Sequence, residues 1–448
     1  MEMEKQEQTN PTILDYLTNW RTFWTYLKEK ARHPGVQKHS KNIGWIFTAK
    51  IASMVITFIA MAYIARNLGP MNYGELSYAL SFTGLFGFLA ALGIDQILYR
   101  DLIKYPEKRN EYMGTALTLR IIASIATIII CISSALIFSP KDVSLLLIFI
   151  VSLAFVFSSF QLLNYEFQAE VKAKYPSIVS LIVVLILNIL KIVVIFYGKG
   201  VIYLALIVLL EPILYAVGFI YFRIKKFGTV KYWKFDGPIA RSILKDSFPL
   251  IFASAFFAIY ARIDQVMIKN MMNAESVGLY GSAVAISEVW YFIPNIIAGA
   301  LFPTIINAKK TSEALYYKRI KKLFWVLIFV SLITALPTTI LSKYLITIIF
   351  GTGFLGALTV LQIYVWSNIG AALNMLAQQI LVAENLTKII SMTTFLGMIT
   401  NIVLNIFLIP KYGMAGAAFA SLISYLIPFG SLILFKQSRK IIVNIFKK

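Results

Sequence analysis

One feature constrains this chain more than any other. Runs of about twenty mostly apolar residues recur from near residue 43 to near residue 435, with 121–138 and 178–195 as clear cases. A helix of about 20 such residues crosses about 30 Å of hydrocarbon with every backbone polar group paired inside it. Repeated runs of this kind fold as a bundle of membrane-crossing helices. Composition agrees, with 59% hydrophobic and 14% charged residues, against about half and a quarter in a soluble domain.

The net charge of +21 would suggest nucleic acid in a soluble protein. Here its placement explains it. With about twelve spans and the N-terminus inside, the inner connections, their edges and both tails hold 32 of the 42 Lys and Arg. The outer connections hold Arg66, Lys141, Lys199, Lys269, Lys343 and Lys411. This positive-inside bias sets both tails in the cytoplasm and the chain in the cell membrane. The basic loops then sit against anionic lipid, and no nucleic-acid partner is expected.

The expected organisation is a cytoplasmic tail (1–42), a six-helix lobe (43–222), a basic cytoplasmic linker (223–246), a second six-helix lobe (247–435) and a basic tail (436–448). Residues 1–10 are polar, so no cleavable signal peptide is expected. Ile13, Leu17, Trp20, Trp24 and Leu27 recur at helical spacing. That spacing fits an amphipathic helix lying on the inner surface or packed on the protein's own cytoplasmic face. The lone cysteine, Cys131, excludes a disulfide framework and a thiolate metal site. His33 and His39 both fall in the first tail, so no histidine chemistry is expected in the membrane. Outer loops of a few residues leave no room for a catalytic domain, which weighs against a membrane-embedded sugar transferase.

The two halves repeat. Asn67-Leu68-Gly69-Pro70-Met71-Asn72-Tyr73-Gly74 follows the first span, and Asn273-Ala274-Glu275-Ser276-Val277-Gly278 follows the seventh, with Gly74 and Gly278 offset by 204. Ala169-Glu170 with Lys174 returns as Ala383-Glu384 with Lys388 at an offset of 214, and Tyr197-Gly198 returns as Tyr412-Gly413 at 215. Six spans is an even number, so the repeats are parallel. The fold expected is an all-α polytopic membrane protein with two parallel six-helix repeats around a central cavity, the plan of an alternating-access transporter.

The stretch Ala65-Arg66-Asn67-Leu68-Gly69-Pro70-Met71-Asn72-Tyr73-Gly74, with Tyr78-Ala79 and Gly93-Ile94-Asp95, resembles the opening of polysaccharide-biosynthesis exporters. These are the Wzx-type O-antigen flippases of the multidrug/oligosaccharidyl-lipid/polysaccharide (MOP) superfamily. Tyr260-Ala261-Arg262-Ile263-Asp264 resembles the start of their second half. The resemblance implies a MATE-like, two-lobe flippase. Its implied cargo is a polyprenyl-(di)phosphate-linked oligosaccharide, and polysaccharide-assembly proteins would work beside it. A multidrug/cation antiporter of the same superfamily is the alternative.

Moving a sugar head through hydrocarbon requires a polar, cation-bearing cavity, because unpaired hydroxyls and phosphate charge are costly there. Charges inside spans are therefore the candidates. Arg262, Lys50, Arg120 and Lys191 are candidate contacts for the anionic head group. Arg262 is the strongest, because it lies too deep to snorkel to the cytoplasm. Asp264, Glu288 and Glu211 are candidates for coupling to a proton or sodium gradient. Arg262 and Asp264 are two residues apart, about 200° on a helix, so they leave on opposite faces. A Lys191–Glu211 pair is the structural alternative for those two. No catalytic residue, metal site or cofactor is expected.

Overall fold

The computed structural model describes residues 34–446, which excludes the amphipathic stretch at 13–27 and His33. Among the described residues every regular element is a helix. The first half contains α1 (Pro34–Gly84), α2 (Gly87–Ala91), α3 (Ile94–Lys104), α4 (Arg109–Phe138), α5 (Val143–Ser152), α6 (Ala154–Ser158), α7 (Leu162–Ala169), α8 (Lys174–Phe196) and α9 (Val201–Phe227). The second contains α10 (Gly237–Met271), α11 (Ala274–Val289), α12 (Phe292–Thr311), α13 (Glu313–Ile340), α14 (Ser342–Ile349), α15 (Leu358–Tyr364), α16 (Ser367–Ala383), α17 (Thr387–Gly430) and α18 (Lys436–Phe446).

Among the described residues, nine helical stretches are long and apolar enough to cross a membrane, or ten if the pair Thr352–Tyr364 and Ser367–Ala383, bent by 46°, is one span. Two of the nine are broken at a glycine. Gly69 in α1 has φ 72° and ψ 167°, and Gly413 in α17 has φ 57° and ψ −140°. Glycine bears such a φ at no steric cost. At 51 residues, α1 would be about 76 Å long if straight, more than twice the hydrocarbon thickness, so the break at Gly69 is what allows it. The expected twelve segments thus fall on helix or on short breaks within it, although fewer pass as single spans.

Polar caps define several helix starts. Asp142 accepts from the Ser144 amide, Asp236 from Ile239, Asn273 from Ser276 and Ser312 from Leu315. Each satisfies an amide that the first helical turn leaves open. Exposed apolar residues such as Ile122, Ile129, Ile189, Phe196, Phe329 and Ile333 form the surface that hydrocarbon covers.

The repeat seen in the sequence is present in the backbone. Val171 (φ 55°) and Asn385 (φ 58°) are both left-handed and lie 214 apart, and Gly198 (φ 64°) and Gly413 lie 215 apart. The lobes meet at Gly74 and Gly278. A methyl on Gly74 would strike the Ala274 carbonyl, and one on Gly278 would strike the Pro70 carbonyl. Both pairs carry the offset of 204, so the contact is the same seen from either lobe, as at a two-fold axis. Helices also break at matching places: before α2 at 85–86 and before α12 at 290–291.

The connection between α9 and α10 is residues 228–236, and it is packed against the first lobe. Arg223, 1% exposed, donates to the Gly228 carbonyl at 2.6 Å and to Asn110 at 3.3 Å, with its guanidinium over Trp233. The Asp236 amide donates to Thr115 Oγ1 at 2.9 Å. The side of the bundle carrying this connection is the linker face, and the side of Gly74 and Gly278 is the far face. At the end of the chain, α18 buries Ile441 and Ile445 against Ile320 and Leu323 of α13.

Candidate functional site

Between the lobes, α1 packs along α11 near the far face, whereas beyond the break at 290–291 the continuing helix α12 packs chiefly on α13 and α16 of its own lobe. The region between the lobes at these breaks is called the cleft. On its other flank α10 stays joined to the first lobe, where Arg100 reaches Asp246 at 2.6 Å.

Arg262 lies at the breaks. It is exposed, and its Cγ runs beside Gly84, 3.7 Å from where a methyl on that glycine would sit. It makes no hydrogen bond or ion pair among the described residues, although it is within Coulombic reach of Glu288. Glu288 is half-buried in the last turn of α11, and within Coulombic reach of Tyr291, Tyr364 and Tyr425. An uncommitted guanidinium here is costly unless the cleft is wet or holds an anion.

Asp264 points the other way, as its spacing from Arg262 requires. It is buried in the second lobe. Tyr280 donates to it at 2.7 Å and Asn405 at 2.6 Å, and Ser421 donates as well. Asn405 also donates to Asn401 at 3.1 Å. No lysine or arginine pairs with this carboxylate among the described residues. The oxygens of Asp264, Asn401, Asn405, Ser421 and Tyr280 form a hard donor set, the kind that suits a proton or an alkali cation rather than a transition metal. The described residues contain no group of three or more His, Cys, Asp or Glu able to hold a metal ion.

The remaining candidates separate. Arg120 is buried and paired with Asp95 at 2.9 Å, so its charge is already matched. Lys191 is within Coulombic reach of Glu211 without forming an ion pair. Glu211 and Lys50 line one open-sided cavity of about 440 Å³ between α1, the α7 region, α8 and α9. The structure thus brings Lys50 and Glu211 together, and it holds Arg262 and Glu288 at a different place, between the lobes.

The far face holds functional residues outside the candidate set. Lys269, 7% exposed, bridges the lobes to Glu75 at 2.6 Å and Asp142 at 3.0 Å, and Ser144 donates to the same Glu75. Arg66 donates to the carbonyls of Thr347 at 2.9 Å and Ile348 at 2.8 Å. In the sequence Lys269 and Arg66 are two sparse outer charges. Their position beside the repeated Asn67 and Asn273 segments was the available signal. The carboxamides of the cavity were also missed, although Gln161, Asn164 and Gln168 recur at three and four residues, one face of a helix.

Two lobes of broken, span-length helices that meet at a closed far face, with an unpaired cation between them at the breaks, define a multi-pass membrane protein of transporter-like fold. The chain belongs to the polysaccharide biosynthesis protein family, whose profile matches residues 40–309. Over 396 residues it is 21% identical to the capsular polysaccharide biosynthesis protein CapF of Staphylococcus aureus, covering 86% of this chain and 98% of CapF. Its fold matches an inward-facing multidrug resistance MATE transporter of the MOP superfamily with a TM-score of 0.72, at 12% identity, over 88% of this chain and 95% of that one. It matches the lipid II flippase MurJ, inward closed, with a TM-score of 0.71, at 16% identity, over 90% of each chain. The resemblance to polysaccharide-biosynthesis exporters is borne out, and the chain is a multi-pass membrane protein of that family with the fold these transporters share.

Proposed function

We propose that the protein moves a polyprenyl-(di)phosphate-linked oligosaccharide from the inner to the outer leaflet of the cell membrane by alternating access. The observation that carries this is Arg262, exposed and unpaired in the cleft where helices of both lobes break. A (di)phosphate there would find a cation in a place of low dielectric, where the interaction is strong. The lipid tail would remain in the bilayer between α1 and α12. In this reading the linker face is cytoplasmic, as the basic connections suggest, and the closed far face faces outward. The Lys269–Glu75 pair and the Gly74–Gly278 contact then form the outer closure that parts when the lobes rock.

Coupling falls to Asp264. A proton or sodium ion bound among Asp264, Asn401, Asn405 and Ser421 would neutralise a carboxylate that has no countercharge. Its presence or absence would then bias the second lobe between two packings. Glu288 and Glu211 are secondary candidates.

The test is flipping of a fluorescent polyprenyl-diphosphate-linked sugar in proteoliposomes, with ethidium efflux followed in parallel. Flipping by the intact protein that falls at least tenfold in Arg262→Ala supports both the cargo and the role of Arg262. Flipping kept in Arg262→Ala removes Arg262 from the site. Ethidium efflux without flipping would assign the protein to the antiporters.

A further inference from the structure

The cavity in the first lobe holds a second set of groups. Lys50, Gln161, Asn164, Gln168 and Glu211 line it, and none of them makes a hydrogen bond or ion pair among the described residues. The hydroxyl of Ser53, on the same wall, is enclosed and also without a partner. Lys50 and Gln161 are exposed and Asn164, Gln168 and Glu211 half-buried, so these five are free to bond an occupant, and one hydroxyl on the same wall is shut away without the partner that buried polar groups almost always have. The volume, about 440 Å³, is within the usual range for a small-molecule site, about 300–1,000 Å³.

We infer that this cavity is a subsite for neutral sugar residues of the cargo, distinct from the cleft at Arg262. The inference rests on the flippase reading above. Three features select the ligand class. One cation and one anion share the lining, so the site has little net charge and Glu211 disfavours a diphosphate. Three carboxamides each offer a donor and an acceptor, which match the paired hydroxyls or acetamido group of a sugar ring. Tyr215, steadied by Ser180 at 3.3 Å, presents an aromatic face in the same lining.

The site belongs to one repeat only. At an offset of 214 from Gln161, Asn164 and Gln168 stand Met375, Gln378 and Val382, 215 beyond Glu211 stands Leu426, and 204 beyond Lys50 stands Ser254. All its walls come from one lobe, so rocking of the lobes does not take it apart. It therefore acts on which glycan is accepted rather than on how fast the lobes move.

The experiment uses the full-length protein in proteoliposomes with Ser180→Cys as the reactive thiol, since the native Cys131 is buried. Modification by a methanethiosulfonate reagent is followed with lipid-linked glycans extracted from the source organism's membranes. It is repeated with the same extract after mild acid hydrolysis has released the glycan from the lipid and the soluble sugars have been removed. Protection by the intact extract alone is the expected result. Equal protection by both would mean that lipid phosphate fills the cavity, and no protection by either would mean that only water does; each overturns the inference. In a second arm, Asn164→Leu is expected to raise KM for flipping roughly tenfold, the order of one lost hydrogen bond, with kcat kept. A fall in kcat at unchanged KM would overturn the subsite. Failure of the unaltered protein to flip the extract would count against the flippase reading instead, and the labelling result would still report on the cavity.

Discussion

In the second lobe, Asp264 accepts from Tyr280, Asn405 and Ser421, and the network is closed upon itself. In the first lobe, Lys50, Asn164, Gln168 and Glu211 face a cavity and bond to nothing described. The two repeats have the same backbone plan, yet the position 204 before Asp264 is Ala60, 2% exposed in an apolar core. One backbone plan thus carries two different polar arrangements. One copy concentrates hydrogen-bond donors on a single carboxylate, where we propose that one small cation is taken up. The other spreads unpaired donors and acceptors over a wall, where the proposed sugar subsite lies.

The largest effect expected from this difference comes from Asp264→Ala. It removes three hydrogen bonds to a buried carboxylate, each of the order of 1.5–3 kcal/mol, although Tyr280, Asn405 and Ser421 keep a second partner each. The melting temperature in detergent should fall by many degrees, and the dependence of flipping on a proton or sodium gradient should vanish. Asp264→Asn, which keeps most of the hydrogen bonds, should lose the gradient dependence with a smaller loss of stability. If gradient dependence survives in Asp264→Asn, the coupling site is elsewhere.

Next in size is Lys269→Ala, which lies between the two lobes and belongs to neither site. Removing one partner of a buried ion pair costs about 3–5 kcal/mol, and Glu75 would remain without a countercharge. The double change Lys269→Ala with Glu75→Gln should recover most of the stability. It should also leave the far face easier to open, read as faster labelling of a cysteine placed at Ala274. Without such recovery, Lys269 acts through something other than Glu75.

The smallest and sharpest comparison places the same substitution in each lobe. Ser421→Ala removes a hydrogen bond to a carboxylate, about 1.5–3 kcal/mol. Ser53→Ala removes a hydroxyl that has no partner, so thermal stability should stay within about 0.5 kcal/mol of the parent. Equal losses from the two would mean that the first-lobe cavity is as tightly bonded as the second-lobe network.

Much of this was legible beforehand. Apolar runs required helices, the near-constant offsets required two parallel repeats, and the opposed faces of Arg262 and Asp264 followed from a two-residue spacing. The site residues were only half legible. Lys50 and Arg120 are alike in the sequence, each a cation about seven residues into a span. Only packing shows that Asp95 occupies Arg120 while Lys50 opens on a cavity. Lys269 and Glu75 are 194 residues apart, and nothing local to either announces the other.

The sequence by itself therefore determined that this chain crosses a membrane many times, that it does so in two related halves, and that a few charges are held at depth. Those facts follow from transfer free energy and helical periodicity, which act along the chain. The tertiary structure alone decided which of those charges are matched and which are free. Pairing depends on distances between helices far apart in sequence, and an ion pair at 2.6 or 2.9 Å is set by how those helices pack.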